Sequence, residues 1–126
     1  MENTSRFVIE MKNSMLADLI KEKIRHIEPN TTPIVTEFGS YDPVNGRGDS
    51  ETSVVILENQ EMHKPLNIIR KELLDVIRRE LPNIIVLNMD PRTFSEEESL
   101  RAMTFPINVE AIPLGDDVIR VGAITS

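Results

Sequence analysis

The residues of this chain whose types and spacing could do chemistry sit close together. Gly39-Ser40 ends a β-rich run, Pro33-Ile34-Val35-Thr36-Glu37-Phe38. Ten residues later Glu51-Thr52-Ser53 opens the apolar run Val54-Val55-Ile56-Leu57. Side chains two apart on a strand share a face, so positions 51 and 53 aim at one point. Two carboxylates so placed would hold a hard divalent cation, and that cation would grip phosphate oxygens. A glycine beside them lets backbone approach a phosphate closely, and the serine adds a hydroxyl. Asp49-Ser50 immediately precedes Glu51.

This arrangement resembles the minimal nucleotidyltransferases of the DNA polymerase beta superfamily. Their signature is a strand ending Gly-Ser, ten residues, then Asp-x-Asp opening an apolar strand; the likeness extends over residues 16–114. It implies a mixed sheet carrying the site, magnesium and a nucleotide as ligands, and a helical partner protein, some members being antitoxins. The chain departs from the pattern at the carboxylates. Glu51 stands for the first aspartate, one methylene longer, and Ser53 replaces the second with a neutral hydroxyl. The next strand, Ile84-Ile85-Val86-Leu87, has no carboxylate for a third position.

Gly39, Ser40, Asp49, Glu51 and Ser53 therefore read as a degenerate nucleotide or metal site, with no residue given a catalytic role. The expectation is a catalytically inactive nucleotidyltransferase-like binding or regulatory module. It would need no cofactor and would act through a protein partner or a retained nucleotide. Two other readings stay open. One is a divergent magnesium-dependent nucleotidyltransferase using Asp49 and Glu51 as replacement ligands. The other is an oligomeric interaction protein with no nucleotide role.

The elements that must position these residues follow from periodicity. Arg6–Met11 reads as a short edge strand. Leu16, Leu19, Ile20, Ile24 and Ile27 recur at helical spacing over 15–28, with Ser14 as cap and Pro29 as stop. Residues 33–38 form a strand, 41–49 a loop rich in Pro, Asn and Gly, and 53–57 a buried central strand. Pro65 opens a helix over 65–80 with the seam Leu66, Ile69, Leu73, Val76 and Ile77. Residues 83–87 form another strand, expected beside 53–57 opposite 34–38. Ser95 and Glu98 make a capping box for a short helix through Leu100 and Met103. The runs 107–113 and 118–124 read as a hairpin turning at Gly115-Asp116, and as the edge for self-association. The fold class is α/β (α+β): one domain over 1–126, with a mixed sheet of about five to six strands, two main helices on one face and one short helix.

Composition narrows the function. The chain of 126 residues has 14 Lys and Arg against 21 Asp and Glu, a formal net charge of −7. Such a surface repels a phosphate backbone, so nucleic acid is not an expected partner. The basic residues Lys64, Arg70, Lys71, Arg78 and Arg79 read as a solvated helix face among acids. With no Trp and 1 Tyr there is no aromatic platform for bases. The absence of Cys excludes thiolate metal sites and a cysteine nucleophile. No signal segment or membrane span is read, and the expected compartment is the cytoplasm. His26 and His63 lack metal-ligand spacing and read as surface residues, and Arg47-Gly48-Asp49 reads as a chance adhesion motif.

Overall fold

The computed structural model describes residues 4–42, 47–104 and 115–126; for 38–42, 47–50, 102 and 104 it describes the backbone alone. The elements in order are β1 (Arg6–Met11), α1 (Ser14–Ile27), β2 (Ile34–Asp42), β3 (Arg47–Leu57), α2 (Leu66–Glu80), β4 (Ile85–Asn88), a 3-10 turn (Pro91–Thr93), α3 (Glu96–Thr104) and β5 (Val118–Val121). The five strands form one mixed sheet in the order β2-β3-β1-β5-β4. The joins β2–β3, β3–β1 and β1–β5 are antiparallel, and β5–β4 is parallel. The mixed sheet, two longer helices and one shorter helix agree with the sequence reading. No described helix is long and apolar enough to cross a membrane.

Register sorts the side chains. Phe7 pairs with Ile56, Ile9 with Val54 and Val121, and Met11 with Ile119, so one sheet face presents an aliphatic row broken by a single ring. Leu16, Ala17, Ile20 and Ile24 of α1 and Leu66, Ile69, Leu73, Leu74 and Ile77 of α2 bury their seams on that face. Both helices carry apolar residues at i, i+3 and i+4, which is what makes one side of each worth removing from water. The α1 cap is Asn13 rather than Ser14: its side chain accepts from the Met15 N–H at 3.0 Å. Both residue types can cap a helix, but only Asn13 has the extended backbone the position demands. Ser95 does cap α3, accepting from the Glu98 N–H at 3.2 Å, yet Leu100 and Met103 are exposed.

Several sequence expectations are corrected. β1 is the middle strand rather than an edge, with Phe7, Ile9 and Met11 fully buried. β3 lies between β2 and β1, whereas β4 is at the far edge. A short apolar run shows that a strand is buried without naming its neighbours. The expected loop over 41–49 is mostly hairpin, because pairing continues to Asp42 opposite Arg47. Val118–Val121 is paired on both sides, so it is no free edge; its expected hairpin partner, 107–113, falls outside the described residues.

Glu28 ties the end of α1 to the start of α2. Its carboxylate is buried and accepts from the backbone N–H groups of Lys64 at 2.8 Å, Asn30 at 3.2 Å and His63. Asn30 and Asn59 add cross-links, donating to the carbonyls of Glu61 at 2.9 Å and Asn30 at 3.2 Å. Burial pushes the Glu28 carboxyl up, but the N–H donors of Lys64, Asn30 and His63 outweigh it and hold it below its ordinary 4.5.

Two predictions follow from this packing. Val54 faces the helices and Val55 the other side. Val54→Asp should lose about 3 kcal/mol or more in urea unfolding and Val55→Asp, at a partly buried position, clearly less; equal losses would contradict the register. A carboxyl with a depressed folded pKa stabilises above its unfolded value and loses that contribution as pH falls through the folded one. Glu28→Gln should therefore melt at a lower temperature than the parent at neutral pH, and the gap should close as pH drops below 4.5. A gap that persists at pH well below that value would assign the loss to packing alone.

Candidate functional site

The hairpin β2–β3 does bring the motif residues together. Ser40 stands opposite Asp49, Gly39 opposite Ser50, Phe38 opposite Glu51 and Thr36 opposite Ser53. By alternation Glu51 and Ser53 share the sheet face away from α1 and α2. Glu51 is exposed and Ser53 buried. Arg47-Gly48-Asp49 lies in regular strand rather than at a loop tip.

Register also supplies a neighbour that the motif does not contain. Glu10 of β1 stands opposite Ser53 on one side and opposite Arg120 of β5 on the other. Across the sheet, one level therefore reads Thr36, Ser53, Glu10, Arg120 and then Leu87, while the adjacent level reads Ile34, Val55 and Val8. Glu10 could not be placed here from sequence, because β1 read as an edge strand.

Magnesium fits this set poorly. Arg120 is the register partner of Glu10 on β5, which sets a basic residue rather than a further carboxylate beside it, and Ser53 brings only a neutral hydroxyl. β4, where a third carboxylate would be sought, is three strands away from β3. Among the described residues no group of three or more His, Asp or Glu is placed to hold a metal ion. Small hard cations demand near-ideal oxygen geometry, and an opposed cation works against it.

A second cluster, missed in the sequence, lies where β4 and β5 end. Arg70 of α2 is 1% exposed. Its Nε donates to the Gly122 carbonyl at 2.8 Å, Nη1 to Thr93 Oγ1 at 2.8 Å, and Nη2 to Asn88 Oδ1 at 2.6 Å and the Val121 carbonyl at 3.1 Å. Asn88 returns its amide to Thr93 Oγ1 at 3.0 Å, and the Thr93 hydroxyl donates to the Asp90 carbonyl at 2.9 Å. Asp90 is buried and accepts a fork from Arg92, Nε at 3.0 Å and Nη2 at 3.1 Å. Those Arg92 bonds outweigh burial and hold the Asp90 carboxyl below its usual range. Burial lowers the pKa of Arg70, opposed by the nearby charge of Asp90. Gly122 fits because a Cβ there would meet the Val8 carbonyl oxygen at 3.0 Å.

An open cavity of about 380 Å³ adjoins this cluster, lined by Asn67, Arg70, Asp90, Arg92, Thr93 and Ile124. It lies outside the carboxyl ends of two parallel strands, where open α/β sheets commonly place ligands. Here, however, the charges answer one another: Arg92 is held by Asp90, and Arg70 spends four bonds on the frame. The cluster reads as a clamp.

Arg70 corrects the reading of a solvated basic face. Lys64 pairs with Glu72 at 2.8 Å and Arg78 with Glu98, while Lys71 is exposed; Arg70 alone turns inward. The signal was present, since Arg70 lies four after Leu66 and three before Leu73, inside the buried seam. His26 and His63 are exposed, as expected, and His26 approaches only Glu22, at 4.0 Å.

No protein-family model and no curated protein matches this chain. Among solved structures, a phage SAM lyase in complex with S-methyl-5'-thioadenosine is similar at 15% identity, covering 65% of this chain and 78% of that one. The TM-score is 0.29, too low to carry an argument about fold or function.

The clamp makes its own prediction. Arg70→Ala would take the donor from the Gly122 carbonyl, remove one of two donors from the Val121 carbonyl and weaken the bonding of Asn88 and Thr93, and should cost about 3–5 kcal/mol in urea unfolding. Arg70→Lys should recover little of it, because an ammonium cannot span a planar fork of acceptors. An alanine variant within about 1 kcal/mol of the parent would show the network to be incidental.

Proposed function

We propose that this chain is a non-catalytic α/β binding module that acts through a protein partner docked along β2. The observation that carries this reading is the β2 edge. Ile34–Asp42 is nine residues long and, among the described strands, pairs with β3 alone. Ile34 and Val35 are 44% and 36% exposed on its two faces. A long row of unpaired N–H and C=O groups is a template for another strand. Nothing along Ile34–Asp42 blunts it with proline or lysine. The opposite edge, β4, has four residues and is closed off by Pro82 before it and Pro91 after.

The chemistry of the hairpin supports the same reading. Its resemblance to nucleotidyltransferases comes with altered carboxylates, and a fold without its metal ligands keeps its surfaces as its use. A retained nucleotide is the weaker form of the proposal, because Glu51 lacks the second charge that magnesium phosphate binding requires.

The test is capture from extract of the natural host, with the parent chain and Ile34→Lys/Val35→Lys as baits. Both positions are exposed, so the variant should keep the parent's stability to about 0.5 kcal/mol and lose the protein that the parent retains. Calorimetric titration with magnesium ATP should be flat for both. Equal capture by the two baits would sink the edge reading. Micromolar magnesium-ATP binding that Asp49→Ala abolishes would replace it with the enzymatic one.

A further inference from the structure

We infer that the β2 edge recruits an extended, net-positive segment of its partner, added as the next strand of the sheet. The inference rests on the binding-module reading and specifies the chemistry of what is bound. It starts from the uneven charge along the hairpin. Asp42 stands opposite Arg47, but Glu37 stands opposite Thr52, Glu51 opposite Phe38 and Asp49 opposite Ser40. Three acids thus have no basic residue directly across the hairpin. All three lie nearer the turn than Ile34 and Val35, which stand at the start of β2: Glu37 and Glu51 are near its middle and Asp49 is beyond them.

An added strand meets these residues in order. Beside Ile34 and Val35 it gains by presenting aliphatic side chains to either face, covering exposed apolar surface. Beside Glu37 it gains from Lys or Arg, and a long basic side chain on the other face extends across β2 toward Glu51. The favoured segment is therefore bipartite, aliphatic at one end and basic at the other. A second copy of this chain is a poor occupant. Antiparallel pairing of β2 with itself over its full length would set Ile34 beside Asp42 and Glu37 beside Gly39, giving neither acid a basic neighbour, on two molecules that each carry −7.

The probes are fluorescent synthetic peptides long enough to span β2. One has an alternating Val/Ile half followed by a Lys/Arg-alternating half; a second has the same composition with a central proline; a third replaces its basic residues with Glu. Anisotropy should show the first binding the parent chain, weakening as salt rises because exposed charges are screened. The proline peptide should bind on the order of tenfold more weakly, since proline removes a ladder donor. Glu37→Lys/Glu51→Lys, changed only at exposed positions, should invert the preference toward the acidic peptide. Amide exchange should slow at 34–42 on binding.

Equal affinity for the proline peptide would mean bulk charge alone and overturn the inference. So would slowed exchange elsewhere than 34–42, or no binding of the basic peptide. If extract capture still depends on Ile34 and Val35 in those cases, the binding-module reading survives without this one. If the capture is also indifferent to them, both fall.

Discussion

The ends of β4 and β5 and the turn that follows β4 converge on the guanidinium of Arg70, and the carboxyl end of the sheet depends on that convergence. β5 delivers the carbonyls of Val121 and Gly122, β4 delivers Asn88, and the turn after it delivers Thr93. Each of these groups is near the point where a strand stops; the Val121 carbonyl still accepts from the Met89 N–H at 2.9 Å, and Arg70 adds a second donor there and bonds the Gly122 carbonyl beyond it. A backbone carbonyl buried without a donor is costly, and a planar cation with five N–H groups can answer several at once. Burying that cation is itself unfavourable, which is why every surrounding dipole points its negative end inward. The fork between Asp90 and Arg92 beside it keeps the local charge balanced.

The two ends of the sheet are consequently different in kind. At the β4–β5 end, parallel strands, a buried guanidinium and a tight Asp-Pro turn use up the polar groups present. At the β2–β3 end, a long antiparallel hairpin leaves Glu37 and Glu51 exposed and, among the described strands, a backbone edge without a neighbour. Glu28 joins the two helices: an acceptor buried at the end of α1 holds the N–H groups that lead into α2. The frame is thus fixed by two buried charges of opposite sign, each satisfied chiefly by uncharged groups.

Much of the framework was legible in the sequence, and the reason is periodicity. The seams of α1 and α2 and the apolar runs of β3 and β4 need only local spacing to be seen. Strand order was not legible, because β1 carries the same alternation whether it lies at an edge or in the middle. Nor does spacing alone distinguish Val54 from Val55 in an unbroken apolar run. Arg70 was misread for a related cause: residue type argued for solvent while seam position argued for burial. The motif pair Glu51 and Ser53 was found because it lies within one strand; Glu10, placed beside Ser53 by a strand read as peripheral, was invisible until register was known.

The central position of β1 bears on the order in which the fold can be assembled. It is the first of the described strands, yet its two flanks are filled by β3 and by β5, the last of them. Ile9 meets Val54 on one side and Val121 on the other. During synthesis β1 must therefore wait, with Phe7, Ile9 and Met11 in water, until elements far downstream emerge. The β2–β3 hairpin can close early because its loop is short, but the sheet stays divided until β5 enters between β1 and β4. Until then a newly made chain carries a hydrophobic strand with a bare edge, the kind of exposure that draws chaperones or leads to aggregation.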